Sequence, residues 1–178
     1  STLFPYTTLF RSPAGHFAEW ESTEEVTRFF SIGKDWSYDD VKSTFLTDEK
    51  DGSKRQFTIC ETVDDTPVGR IYVTSINNYT HSLDITRIYI GDLTKRGKGY
   101  GRQAMELILD WAFNHMKAHR VTLNHFPGNK KAANLYLSLG FKYEGIARDA
   151  AFKDGKYYNL EGLSILEAEY RTFSKKNK

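Results

Sequence analysis

The chain has 178 residues, enough for one domain with one sizeable core and too few for two ordinary domains, so a single domain must hold both a cofactor and its substrate. Its 25 Lys and Arg against 23 Asp and Glu leave a formal net charge of +2, spread along the chain rather than gathered in a block, and this gives no footprint for nucleic acid. The single cysteine excludes an internal disulfide, and no apolar run is long enough to cross a bilayer or form a signal-peptide core; a cytoplasmic setting with no membrane partner is the expectation.

The first twelve residues, STLFPYTTLFRS, lack an initiating methionine, helical periodicity and a capping signal, and they resemble a translated vector or adaptor sequence. Residues 1–12 are therefore expected to be non-native, with one domain over 13–172 and a basic tail over 173–178 that carries Lys175, Lys176 and Lys178. An intact mass of protein from its native source that retained those twelve residues would remove the first expectation.

Glu21 to Phe30 and Ser37 to about Leu46 suit short helices, the second capped by Ser37 with Asp40 three residues on. Glu19, Glu21, Glu24 and Glu25 could attract a cation, although acidic residues in a first helical turn are commonly structural. Gln56 to Val63 and Val68 to Thr74 read as a hairpin around the Asp64 to Pro67 turn, with Cys60 as a small buried hydrophobe rather than a nucleophile. Leu83 to Ile90 is a third strand. From Gly101 to about Met116, apolar residues at 104, 105, 108, 109, 112 and 116 recur at helical spacing. Arg120 to Phe126 is a strand, Asn129 to Leu139 a helix stopped by Gly140, and Phe141 to Arg148 with Tyr157 to Leu166 a last strand pair around Asp154-Gly155. The order predicts an α/β (α+β) fold with one central mixed sheet and helices packed on it.

Between the third strand and the strong helix lies Lys95-Arg96-Gly97-Lys98-Gly99-Tyr100-Gly101-Arg102. A glycine-rich loop at a helix N-terminus offers free N–H groups, partial positive charge from the helix and room for a phosphate to approach the backbone. The spacing fits neither a Walker A loop nor the full dinucleotide Gly-x-Gly-x-x-Gly pattern, and taken alone it also suits a tight, basic, exposed turn.

Arg96-x-x-Gly99-x-Gly101 resembles the pyrophosphate loop of the GNAT acetyltransferase superfamily, and Asn129-x-x-Ala132-x-x-Leu135-Tyr136-x-x-x-Gly140-Phe141 resembles that superfamily's later signature. The likeness extends from about Phe17 to Tyr170, and the segment from Tyr143 to Tyr157 is similar to the branch with ribosomal-protein N-terminal and polyamine acetyltransferases. The resemblance implies a single GNAT-like domain with a mostly antiparallel sheet of six or seven strands. It implies an acetyl-CoA-dependent N-acetyltransferase acting on a small-molecule or peptide amine, without a metal, with a homodimer left open. The rival reading is a non-catalytic sensor that holds acyl-CoA on the same fold.

By the same resemblance the backbone of Ile88, Tyr89 and Ile90 takes the pantetheine arm, Gly97, Lys98, Gly99, Tyr100, Gly101 and Arg102 with Arg96 take the pyrophosphate, and Asn129 reaches the cofactor. Ile88 to Ile90 are equally core strand residues, and Asn129 equally a helix cap. Tyr136 matches the tyrosine that protonates the departing thiolate, against a plain core aromatic. Strand alternation places Asp84 on the face of Ile88, as the base that relieves the amine of its proton, with Ile85 in that slot in the other register. Asp84 is equally a strand-edge solubility residue, and His125 is a weaker candidate for the base.

Overall fold

The structure is a computed structural model and describes residues 13–32 and 36–176. The expectation for residues 1–12 and the last tail lysine, Lys178, lie outside the described residues.

Among the described residues three helices precede the sheet: α1 Pro13–Glu21, α2 Glu24–Thr27 and α3 Tyr38–Asp48. The first helix, packed through Phe17 against Phe45, begins upstream of the segment expected to be helical, and the chain breaks between α1 and α2. α3 starts where its capping box dictates. The Ser37 hydroxyl accepts from the Asp40 N–H at 3.2 Å, and the Asp40 carboxylate accepts from the Ser37 N–H at 2.8 Å.

Strands β1 Arg55–Cys60, β2 Pro67–Asn77 and β3 Ser82–Ile90 form an antiparallel meander, and α4 Tyr100–Asp110 carries the chain to β4 Arg120–His125. Then follow α5 Lys130–Ser138, the hairpin β5 Lys142–Lys153 and β6 Lys156–Leu166, and α6 Glu167–Lys176. The hairpin turns on Asp154 and Gly155, both at positive φ (50° and 77°), as the Asp-Gly pair predicts. The six strands run in the order β1-β2-β3-β4-β6-β5. Among the described residues only β3 and β4 pair in parallel, because α4 returns the chain to the same end of the sheet.

α4 buries Ala104, Met105, Ile108 and Leu109 against one face of the sheet, as its spacing requires. It then widens into a π turn over Trp111–His115, with the Met116 N–H reaching the Trp111 carbonyl at 3.0 Å. Phe113, four residues after Leu109, is buried in the core beside Ala112, and Met116, expected on the apolar stripe, is only partly buried. The tail expectation is corrected at its first residues. α6 continues to Lys176, and Phe173 packs on the main core beside Gly140.

On the opposite face α1 and α3 cover β2 and β3 through the cluster of Phe17, Phe45 and Trp20. Here the side chain of Glu21 is buried between Arg70 and Arg87, at 2.5 and 3.3 Å, and accepts from the Tyr89 hydroxyl at 2.8 Å. Glu21 is therefore a structural counter-ion; Glu19, Glu24 and Glu25 stay exposed. Cys60 is partly buried, and burial raises its thiol pKa, which suits a packing role.

Candidate active site

β3 and β4 pair only from Ser82↔Arg120 to Asp84↔Thr122; beyond that β4 pairs with β6 alone, and the two parallel strands splay apart. A cavity fills the splay. Phe29 and Phe30 line it from the α1 side of the sheet, Tyr136 and Asn129 from the α5 side, and Asp84 and Ile88 from β3 itself. The cavity therefore reaches from one face of the sheet to the other.

The Gly91 N–H donates to the Val68 carbonyl at 2.8 Å, so the antiparallel alternation turns the backbone of Tyr89 toward β2 and that of Ile88 and Ile90 toward the splay. The Ile90 carbonyl accepts from Arg96 Nε at 3.0 Å, which leaves the Ile88 groups and the Ile90 N–H facing the gap.

The register between β2 and β3 jumps from Tyr72↔Arg87 to Val73↔Ile85, so Thr86 is an extra residue, a β-bulge. The bulge reverses the alternation and corrects the expectation that Asp84 shares a face with Ile88. Asp84 pairs with Thr74 and lies on the α1 face with Tyr72 and Arg70, whereas Ile88 pairs with Ile71 and packs on the α4 face. Ile85, the occupant of that slot in the other register, is core.

Asp84 accepts from the Thr122 hydroxyl at 2.7 Å and from the Thr86 hydroxyl at 2.9 Å. Burial raises its pKa above the usual carboxylate range, opposed by those two hydrogen bonds. Tyr136 lies on the other face, and burial alone pushes its phenol up to about 12, so it keeps its proton at any working pH. Among the described residues none hydrogen-bonds its hydroxyl. His125 also lines the cavity, but it is buried with Nδ1 3.0 Å from the Phe126 carbonyl and Nε2 3.4 Å from Glu161, which ties β4 to β6.

The glycine-rich loop leaves its backbone exposed at the start of α4. Gly97 and Gly99 hold positive φ (77° and 86°), and a Cβ at Gly97 or Gly101 would meet nothing within 4 Å, so the backbone is open to a ligand. The first helical bond runs from the Gln103 N–H to the Gly99 carbonyl at 3.1 Å; the N–H groups from Gly97 to Arg102 have no acceptor among the described residues. Two of the flanking cations are engaged elsewhere. The Arg96 guanidinium donates to the Glu25 carbonyl at 3.3 Å as well as to Ile90, and Arg102 bridges Ser138 at 2.9 Å and Glu106 at 3.0 Å. Lys98 is exposed. Asn129 serves as the cap of α5, accepting from the Ala132 N–H at 3.3 Å, while also facing the cavity.

A family model described as an acetyltransferase (GNAT) domain matches residues 9–142. The chain belongs to the GNAT acetyltransferase family. It is 28% identical over 134 residues to spermidine N(1)-acetyltransferase of Vibrio cholerae serotype O1, covering 75% of this chain and 76% of that relative. A Bacillus subtilis protein named for ribosomal N-acetylation, YdaF, is 31% identical over 74 residues, 42% of this chain and 40% of that one. The solved structure of a spermidine N-acetyltransferase from Vibrio cholerae in complex with CoA and spermine superposes with a TM-score of 0.81 at 23% identity. It covers 92% of this chain and 95% of that chain, and at this identity the match establishes the fold.

This GNAT enzyme is an N-acetyltransferase with acetyl-CoA as donor. Its residues fit that donor: the unpaired amides of the loop suit a diphosphate, and the splayed edge at Ile88 suits an amide-bearing arm. The bulge at Thr86, the pairing of Glu21 and the use of Arg96 as a staple escaped sequence reasoning. Only the adjacent Asp84-Ile85-Thr86 run of mixed polarity hints at the first. No described helix is long and apolar enough to cross a membrane.

Proposed function

We propose that this GNAT enzyme acetylates a primary amine of the small polyamine class by direct attack of the neutral amine on the thioester. The observation that carries the reading is the cavity that passes through the sheet, with Asp84 on one face and Tyr136 on the other.

Acetyl-CoA, when bound, supplies an acyl group activated as a thioester. An alkylammonium has a reference pKa near ~10 and must lose a proton before it can attack. Asp84, with its raised proton affinity, accepts that proton on a carboxylate oxygen, and Thr122 and Thr86 hold the carboxylate in place. Tyr136 holds its proton on the phenol oxygen, available to a departing thiolate. The Ile88 and Ile90 N–H groups at the splayed edge bind and orient the donor's arm, the amides from Gly97 to Arg102 take its diphosphate, and Asn129 borders the cavity between them. The polyamine class is supported by the spermidine acetyltransferase among the relatives. The reading takes 13–172 as the catalytic domain, working in the cytoplasm as a single chain or a homodimer.

Thiol release from acetyl-CoA is the test, with spermidine, spermine, an N-terminal peptide and an aminoglycoside as acceptors. Amine-dependent release is expected, greatest with the polyamines. Greatest release with the peptide would move the acceptor class, and binding of CoA with no release for any amine would make the chain an acyl-CoA sensor.

A further inference from the structure

The loop from Arg96 to Gly99 is a poor candidate for holding its own shape. Its two left-handed glycines have the most backbone freedom to lose, and around the position of a Gly97 Cβ there is no neighbour within 4 Å. Its ends, however, converge on one carboxylate. Glu61 follows β1, and its backbone is fixed on both sides, by its N–H to the Thr66 carbonyl at 2.9 Å and its carbonyl to the Asp65 N–H at 3.1 Å. Its Oε2 accepts from Lys95 Nζ at 2.6 Å, immediately before the loop, and its Oε1 accepts from the Tyr100 hydroxyl, immediately after it. The side chain of Glu61 is only 18% exposed.

We infer that Glu61 is a positioning residue for the diphosphate of acetyl-CoA: it clamps both ends of the glycine-rich loop, so that the amides from Gly97 to Arg102 are arranged before the donor arrives. This deepens the reading given above and rests on the donor binding at this loop. Two effects of opposite sign meet at Glu61. By charge alone a carboxylate beside a diphosphate repels it, and removing that charge should tighten binding. By geometry, removing the clamp frees the loop, and the ordering that is then needed on binding weakens affinity. Lys95 already neutralises the carboxylate, and at the loop's edge the residual repulsion is screened by salt. The geometric effect therefore wins.

The experiment is calorimetric titration of CoA into the wild-type chain and the E61A, E61Q and Y100F variants, with steady-state kinetics alongside. E61A is expected to raise the Kd for CoA and the KM for acetyl-CoA by ~10-fold, a cost equal to ordering one or two groups. Its kcat at saturating donor and its KM for the amine should stay within ~2-fold, a split that general loosening of the fold would not produce. E61Q, which keeps an acceptor for Tyr100 but loses the Lys95 ion pair, and Y100F, which keeps the ion pair, should fall between; they decide the matter if E61A does not fold. The loss should persist in ~1 M salt relative to wild type. E61A binding CoA as tightly as wild type, or more tightly, overturns the clamp and leaves the donor site intact; a wild-type chain that takes up no CoA overturns both.

Discussion

Asp84 and Tyr136 are both shifted upward by burial, with opposite consequences. A carboxyl with a raised pKa is a stronger base but is charged only at higher pH, so the acidic limb of kcat/KM is expected above the ordinary carboxylate value of 3.8. Asp84→Asn should lower kcat/KM at neutral pH by ~10²-fold. The same residue gives a stability signature. Its folded pKa is raised, so the fold favours the protonated form, and stability is lost as pH rises through that pKa. Asp84→Asn should therefore melt above wild type at neutral pH, with the difference vanishing below about 3.8 in a pH series of thermal melts. Tyr136 behaves in the other sense: a phenol held at about 12 remains an acid throughout the working range. Tyr136→Phe should reduce kcat by ~10-fold, less than a full general-acid effect because a thiolate leaves readily, while titration shows unchanged CoA affinity.

At the scale of elements, charged side chains decide how helices and strands are joined. Glu21 ties α1 to β2 and β3, and its removal leaves the buried Arg70 and the part-buried Arg87 with no counter-charge, Arg70 Nε already having no partner. Glu21→Gln should cost ~3–5 kcal/mol in urea denaturation. Glu144 makes the contrasting case. It holds β5 to β4 across β6 through Arg120, at 2.7 and 2.5 Å, and that hydrogen bonding, with Ser164, lowers its pKa to about 2. Both partners are more than a third exposed, so Glu144→Gln should cost no more than ~1 kcal/mol. The folded pKa is depressed, so that stability is present above 4.5 and lost as pH falls toward about 2, where variant and wild type should melt alike. The elements themselves were largely legible. The Ser37 capping box, the α4 stripe as far as Ala112 and the Asp154-Gly155 turn are local signals, and each formed where its residues indicated. The beginning of α1 and the whole of α6 carried no comparable signal and were missed; α6 owes its place to Tyr170 and Phe173, which pack on core residues far away along the chain.

Across the whole molecule, the donor would touch a loop, two splayed strands and α5 together, so its binding should stabilise the global fold. CoA at about 100 times its Kd is expected to add about 2.7 kcal/mol. For a chain of this size that is roughly 5–10 °C in a thermal melt, and no shift would show that the loop and splay do not hold it. The sequence by itself determined the α/β order of elements, the family and the glycine-rich loop before α4, because helix caps, turns and periodicity are set by neighbours along the chain. The tertiary structure alone decided which face Asp84 occupies, what Glu21 and Arg96 are bonded to and where β3 leaves β4. Those outcomes depend on contacts between segments far apart in the chain, and one unpaired residue at Thr86 is enough to reverse a strand's faces without altering its composition.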